Sequence, residues 1–250
     1  MNSENTILSP QILPHGQDGI LVCFDRKVTQ QAGAAALTLR RDITLADLPG
    51  ISEVSASLTS VLVRFDPDAT TRAVLSKTLG TLLAARDWAQ FDTPAPTRRW
   101  TIPVTFGGAA GPQLAQSADL AGQSVEQAVS EICNTELRVL TIGYAPGQPY
   151  LGMLPDHWGF PRLPELTPAV PAGALVVAVR QLVIFTNASA TGWRQIGQTA
   201  FRPFLQDRAE PLLFQQGDAV QFTTISHAEW QSLEADNADG LGGAICKVTS

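Results

Sequence analysis

Cysteine is scarce in this chain. Cys23, Cys133 and Cys246 are odd in number and far apart, and no C-x-x-C occurs, which excludes a disulfide framework and gives no support to a zinc site. His15, His157 and His227 are equally scattered, so a histidine-built metal cluster is not expected. Charged residues make up only 16% of the chain and the net charge is -6; a mildly acidic field of this kind repels phosphate and argues against nucleic acid and anionic lipid as partners. The strongest apolar stretch, "AGALVVAV" at 172–179, is far shorter than the roughly 20 residues a membrane helix needs. The opening "MNSENTILSPQ" has neither the basic nor the apolar region of a signal peptide. A reduced, cytoplasmic protein with no membrane anchor is expected. The signatures of self-sufficient chemistry are missing too: there is no G-x-x-x-x-G-K-[ST] phosphate loop and no G-x-S-x-G nucleophile elbow. "GGAAG" at 107–111 lacks the lysine and reads as a hairpin or a strand-to-helix turn.

What is present is enough apolar material for a core, 44% of 250 residues, on a chain long enough for one large domain or two modest ones. "DGILVCFD" at 18–25 reads as a buried strand. Val28, Ala32, Ala35, Ala36 and Leu39 then fall on one face of a helix. Strands follow at "ISEVSAS" and "SVLVRFD". Thr70 or Thr71 is placed to cap a second helix carrying Leu75, Leu79, Leu82 and Leu83. The order strand, helix, strand, strand, helix predicts a small α+β sandwich of the split βαβ type over residues 1–91. The proline-containing "DTPAPTRR" supplies a linker at 92–98. Over 99–250 the texture changes. "WTIPVTF" is a strand, Ser124 and Gln127 form a capping box ahead of a helical face of Val125, Ala128, Val129 and Ile132, and "LRVLTIGY" is a strand. "ALVVAV", "LVIFT", "WRQIG", "AFRPF" and "AVQFTTI" are read as further short strands, which after a single helix suggests a barrel or sandwich. The tail begins as a short helix at "HAEWQSLEA" and then turns glycine-rich, with no further reading.

The segment "GYAPGQPYLGMLPDHWGFPR" at 143–162 places five prolines or glycines in its first ten positions. A surface loop is one reading; the shaped wall of a pocket is the other. Pro146 and Gly147 fix the path of the chain, as proline locks φ and glycine admits positive φ. Tyr150 offers a ring and a hydroxyl for packing or for lining a site. Arg162 is a fork of donors for a carboxylate or phosphate, or else one half of a surface ion pair. Gln181 is a polar residue in an apolar run that needs a partner, either a ligand or neighbouring backbone. Gly192-Trp193 reads as a turn followed by a core anchor. These five, Pro146, Gly147, Tyr150, Arg162 and Gln181, are the candidate substrate-binding residues; no catalytic residue is assigned.

Several ordered motifs resemble one family, the subunit 1 type of allophanate hydrolases, which includes the B subunit of 5-oxoprolinase and a sporulation-kinase inhibitor (carboxyltransferase subdomains C and D). "GYAPGQPYLGML" is similar to its G-F-x-P-G-F-P-Y-L-x-x-L, "IPVTFGGAAGPQL" to I-P-V-x-Y-G-G-E-x-G-P-D-L, and "SATGWRQIGQTAFRPF" to S-P-G-G-W-x-x-I-G-R-T-P-x-x-L-F. "VPAGALVVAVRQLVIFT" also follows the pattern. The chain departs from it at Ala109, Gln113 and Ile132, where the pattern has glutamate, aspartate and histidine, and at Leu166-Thr167, where a second Pro-Arg is replaced. The resemblance implies an α+β protein in which a small N-terminal domain precedes a cyclophilin-like β-barrel. It also implies a partner, a subunit 2 (C-type) homologue with a third 5-oxoprolinase subunit. The implied reaction is the ATP-dependent opening of 5-oxoproline to glutamate, with ATP held mainly by the partner and no metal in this chain. Other branches of the family imply two alternatives: a regulator that inhibits a histidine kinase, and a part of a biotin-dependent urea carboxylase and allophanate hydrolase system.

Overall fold

The computed structural model describes residues 9–88 and 94–249. It divides into two compact units, Met1–Ala95 and Pro96–Ser250. Residues 92 and 93 of the expected linker lie outside the described residues, and Arg98, the linker's last position, already belongs to a strand.

The first unit is a four-stranded antiparallel sheet carrying two helices. β1 (Gln11–His15), β2 (Gly19–Cys23), β3 (Ile51–Ser57) and β4 (Ser60–Phe65) lie in the order β1-β2-β4-β3. β4 is antiparallel to both β2 and β3, so β2 and β3 run parallel with β4 between them. With α1 (Gln30–Ala46) joining β2 to β3, this is the expected split βαβ unit. α2 (Arg72–Ala84) follows β4. Both helices begin where a threonine hydroxyl accepts from a backbone amide: Thr29 from Ala32 at 3.1 Å and Thr71 from Val74 at 3.3 Å. Ala32, Ala35, Ala36 and Leu39 of α1 and Leu75, Leu79 and Leu83 of α2 are buried against Ile20, Val22, Val61 and Val63 of the sheet. Two expectations are corrected. Val28 precedes the α1 cap and is exposed. β1, which the sequence reading lacked, is an edge strand with Pro14 inside it and only one residue that is not fully exposed, so it shows no alternation to detect; proline is tolerated there because an edge leaves one side of the strand unpaired.

The second unit is a closed barrel. Its strands are β5 (Arg98–Phe106), β6 (Leu137–Ile142), β7 (Pro149–Gly152), β9 (Ala174–Ala178), β10 (Gln181–Ile184), β12 (Arg194–Gln198) and β13 (Ala219–Thr224). The ring runs β5-β12-β9-β10-β7-β6-β13 and returns to β5. The long β5 makes the closure: one edge pairs in parallel with β13, and the far end of the other edge meets β12 at Gly197–Phe106 and Gln198–Thr105. The remainder of that second edge is taken by β14 (Ile245–Val248), so the glycine-rich tail ends as a strand added to the barrel. β8 (Thr167–Val170) and β11 (Ser189–Thr191) form a separate two-stranded ribbon.

The barrel interior is filled by Trp100, Ile102, Val104, Val139, Leu151, Val177, Leu182, Ile184, Ile196, Phe201 and Phe222, among others. It is a packed core and not a ligand chamber. A second apolar cluster, Val170, Ala174, Val176, Ala178, Val183, Phe185 and Trp193 with Tyr150 against it, sits on the opposite faces of β9 and β10. With both faces buried, β9 and β10 read as unbroken apolar runs.

α3 (Leu114–Leu120), α4 (Val125–Asn134) and α5 (His227–Ala235) complete the unit. The capping box of α4 forms as expected, with Ser124 and Gln127 exchanging hydrogen bonds. The expectation of a single helix before the strands is corrected by α3, whose first residue follows Gln113 with no side-chain cap. "AFRPF" is also corrected: it is no strand, but a buried crossing segment that makes a lone bridge from Phe204 to Leu212. "GGAAG" is the strand-to-helix turn between β5 and α3. A Cβ on Gly111 would lie 2.0 Å from the Ile196 carbonyl oxygen, so the turn is pressed onto β12.

A cleft on the outer face of the barrel

The proline-glycine segment leaves β6 at Ile142 and returns as β7 at Pro149. Its bend is closed by its own backbone: Gly143 N–H donates to the Gln148 carbonyl at 3.0 Å, and Gln148 N–H to the Ala145 carbonyl at 3.1 Å. Tyr144 and Gly147 both take positive φ, 71° and 68°. At Gly147 a Cβ would come within 2.7 Å of the Phe204 Cβ, so glycine is required there for space as well as for conformation. Tyr150 then pairs with Val183 of β10, which sends its ring to the outer face.

A cleft of about 230 Å³ opens on that face. Tyr144, Gln148 and Tyr150 of the bend line it together with Arg162 and, from the opposite side, Thr191, Gly192 and Trp193. The Arg162 guanidinium lies over the Trp193 ring, 5.1 Å from its centre, and the Tyr150 ring meets the same indole edge-on at 5.9 Å. Arg162 has no carboxylate partner among the described residues. It is held in place through the backbone on either side: the Leu163 N–H donates to the Gly192 carbonyl at 2.6 Å, and Arg194 Nη1 donates to the Pro161 carbonyl at 2.6 Å. Arg194 is 6% exposed, also stacks on Phe160, and burial pushes its guanidinium below the ordinary value. Gly192 permits the approach, since a Cβ there would sit 3.2 Å from the Leu163 carbonyl oxygen.

Of the five candidate residues, the structure brings Tyr150 and Arg162 together in this cleft. Pro146 is exposed and Gly147 buried behind the bend; neither lines the cleft, and both act on its shape. Gln181 opens β10 opposite Gly152 and Ala178, on the same outer face as Tyr150 but outside the lining. Gln148, Thr191 and Trp193 are contributions to the cleft that the sequence reading did not assign, and Arg194 is its hidden support. Some departures from the family pattern fall in this cleft: Leu166 lines it, as do Gln148 and Thr191, where the quoted motifs have phenylalanine and glycine. Others lie elsewhere. Ile132 is fully buried in the barrel core, Ala109 is exposed on the turn, and the Gln113 side-chain oxygen accepts from the Gln195 amide at 2.6 Å.

His157 and Trp158 belong to a different construction. Glu131 Oε2 on α4 accepts from Trp158 Nε1 at 2.6 Å and Gln123 Nε2 at 2.9 Å, and meets His157 Nε2 at 2.7 Å. Partial burial pushes this carboxyl up, but the hydrogen bonds from Trp158, His157 and Gln123 outweigh it and hold it below its ordinary value. A larger cleft of about 580 Å³ lies beside α4, lined by Phe106, Leu114, Val125, Val129 and Cys133 among others. Burial pushes the Cys133 thiol up, away from the reactive thiolate. Volume favours this second cleft, but the first has a fixed cation, an aromatic platform and converging polar groups, and those are the features of a recognition site.

Comparison with known proteins agrees with this architecture. Residues 10–214 match the model of the carboxyltransferase domain, subdomain C and D, and the chain belongs to that family. Among its curated relatives, it is 33% identical over 180 residues to the B subunit of 5-oxoprolinase from Escherichia coli O157:H7, spanning 71% of this chain and 80% of that protein. It is 26% identical over 235 residues to the B subunit of 5-oxoprolinase from Bacillus subtilis strain 168, spanning 91% and 98%. Of the solved structures, TTHA0988 superposes with a TM-score of 0.68 at 26% identity over 84% of this chain, which spans only 40% of TTHA0988. The urea amidolyase of K. lactis shares the fold, with a TM-score of 0.74 at 17% identity over 99% of this chain and 17% of that one.

Proposed function

We propose that this chain is a non-autonomous subunit of a heteromeric, ATP-dependent amidohydrolase that opens 5-oxoproline to glutamate, working with a subunit 2 (C-type) partner and a third subunit. The observation that carries the reading is the Arg162 guanidinium, seated on Trp193 in a cleft of about 230 Å³ with no carboxylate among the described residues to neutralise it. A small ring acid fits that volume, and its carboxylate supplies the missing anion in the planar, two-pronged geometry that arginine favours. The names of the relatives, each the B subunit of a 5-oxoprolinase, point to the same substrate and to an assembly of several chains.

The overall reaction, 5-oxoproline plus ATP plus two waters giving glutamate, ADP and phosphate, requires activation of a poor electrophile. Transfer of the terminal phosphoryl group from ATP to the lactam oxygen releases ADP; one water adds to the same carbon and the C–N bond breaks to leave an acyl phosphate, and a second water displaces phosphate to give glutamate. Such steps need groups that hold a nucleotide and a base that takes the proton of water. Among the described residues, those lining the cleft include no aspartate, glutamate or histidine. In this reading, the chain therefore binds and orients the ring acid, while the nucleotide and the proton-transfer groups come mainly from the partner. Coexpression with the candidate partner subunits tests it: ATP hydrolysis is expected only from the assembly and only with 5-oxoproline present. Turnover by the isolated chain, or none by the assembly, would refute it.

A further inference from the structure

Tyr150 is half-buried and lines the cleft, and its hydroxyl keeps accessible surface without a hydrogen bond to any described residue. The other neutral polar side chains of the lining are less suited to a ligand. The Thr191 hydroxyl already accepts from the Trp193 N–H at 3.1 Å, Gln148 is 1% exposed, and Tyr144 stands on the rim at 77% exposed. Tyr150 is also firmly placed. Its strand, β7, is paired on both sides, with Tyr150 opposite Thr141 of β6 and Val183 of β10. Its ring meets the Trp193 indole with the two planes 71° apart, while the Arg162 guanidinium lies over the same indole. One buried side chain, Trp193, therefore sets the position of both polar ends. They approach it from different directions and so address two points of a ligand. The fork of an arginine engages both oxygens of a carboxylate, which leaves the uncharged part of the ligand to the phenol.

Resting on the reading of this cleft as an anion-anchored site, we infer that Tyr150 is a specificity-determining residue: its hydroxyl donates a hydrogen bond to a carbonyl oxygen of the acid whose carboxylate Arg162 holds. The site then selects small carboxylates that carry a ring carbonyl. It gains nothing from the hydroxyl with the plain hydrocarbon acid of the same shape, which offers no acceptor. A carbonyl oxygen has two lone pairs, so the contact leaves one free for phosphoryl transfer.

Calorimetric titration of the full chain, alone and with its partner subunits, tests this with three probes of nearly equal shape. The first is 5-oxoproline. The second, 3-oxocyclopentanecarboxylate, keeps the carbonyl and replaces the N–H with a methylene. The third, cyclopentanecarboxylate, has neither group. Tyr150→Phe keeps the ring and its packing on Trp193; it should weaken the two carbonyl probes roughly 3- to 10-fold and leave the third unchanged. Tyr144→Phe should change none of the three, and Arg162→Met should weaken all alike. Thermal melting of each variant checks that it is folded. A Tyr150→Phe loss shared by all three probes would place the hydroxyl on the carboxylate, and a loss confined to 5-oxoproline would place it on the N–H; either overturns the inference, as does no loss at all or the binding of no probe with or without partner. These outcomes are distinct from failure of the proposed reaction: an assembly that shows the expected Tyr150→Phe pattern but turns over nothing defeats that reaction alone, and one that turns over 5-oxoproline with Tyr150→Phe binding all probes as the parent does defeats only the role of Tyr150.

Discussion

Arg98 and Arg162 stand in the same unit and have opposite surroundings. At the start of β5, Arg98 Nε donates to Asp218 at 3.0 Å and a second guanidinium nitrogen reaches the other carboxylate oxygen. Trp100 Nε1 at 3.1 Å and the Gln215 N–H at 2.9 Å complete the shell of an Asp218 side chain that is only 2% exposed. The Asp218 hydrogen bond raises the Arg98 guanidinium above its ordinary value and outweighs burial. Here charge is consumed: the pair fastens the beginning of β13 to β5, where Trp100, Phe201 and Phe214 stack at 5.3 to 5.5 Å. At the cleft, Arg162 rests on an aromatic face and its charge is not consumed. The contrast separates a structural cation from a recognition cation by what remains unsatisfied around it, and the residue type alone does not.

Breaking the first side of this comparison should have the largest effect. Asp218→Asn leaves Arg98 partly buried without its counter-charge, and a loss of about 3 kcal/mol in denaturant unfolding is expected. Ligand affinity in the folded fraction should be unchanged. Arg162→Met reverses the pattern: unfolding should move by under about 0.5 kcal/mol, as for surface changes in general, while the affinity for 5-oxoproline falls by roughly 10- to 100-fold through loss of charge-assisted hydrogen bonds. If both substitutions shifted stability and neither shifted affinity, the two arginines would be one kind of residue after all.

How much of this could be read from the amino-acid order follows from where each signal is stored. β9 and β10 were legible because "ALVVA" and "QLVI" are sandwiched between the filled interior and the outer cluster. The α4 cap was legible because Ser124 and Gln127 satisfy each other within one turn. α3 and β14 were not: one follows a Gly-Pro turn without a capping side chain, and the other is an exposed edge whose strand character comes from pairing with β5. "AFRPF" misled because Phe201 is fully buried for tertiary reasons that mimic a strand. At the cleft, Arg162 and Tyr150 stood out in a motif, but Trp193 and Arg194 act on Arg162 across some thirty residues of chain, a separation that no local pattern encodes. Gln148 lay in plain view within "PGQPY"; its place in the cleft lining comes from the bend between β6 and β7 and not from a local pattern.

A middle case sharpens the comparison. Glu131 gathers its donors like Asp218, but they come from side chains without a dedicated arginine, and it is less buried. Because its carboxyl is held below the ordinary value in the folded chain, its contribution is fully present above the unfolded carboxyl range, about pH 4.3, and is lost as pH falls through the lower folded value. Glu131→Gln should therefore cost about 1 kcal/mol near neutrality. The deficit against the parent chain should shrink on acidification below about pH 4, in unfolding curves recorded across that range. A deficit independent of pH would assign the loss to packing and not to ionisation.

The smallest effect is expected at a third arginine. Arg180 sits in the tight turn between β9 and β10, where it pairs with Asp156 at 2.5 Å. Asp156 is 92% exposed, so water and salt screen the attraction and the ordering of two long side chains offsets much of what remains. Arg180 also donates from Nε to the Leu154 carbonyl at 2.8 Å, and its backbone N–H donates to the Trp158 carbonyl at 3.0 Å; neither contact needs the aspartate. Asp156→Ala should accordingly change unfolding by less than about 0.5 kcal/mol, with no change in affinity for 5-oxoproline. The same type of charge pair, moved from the base of β13 to the surface, then accounts for several-fold different energies through exposure alone. A loss at Asp156 as large as that at Asp218 would mean that the number of ion-pair contacts, and not their burial, sets their worth in this barrel.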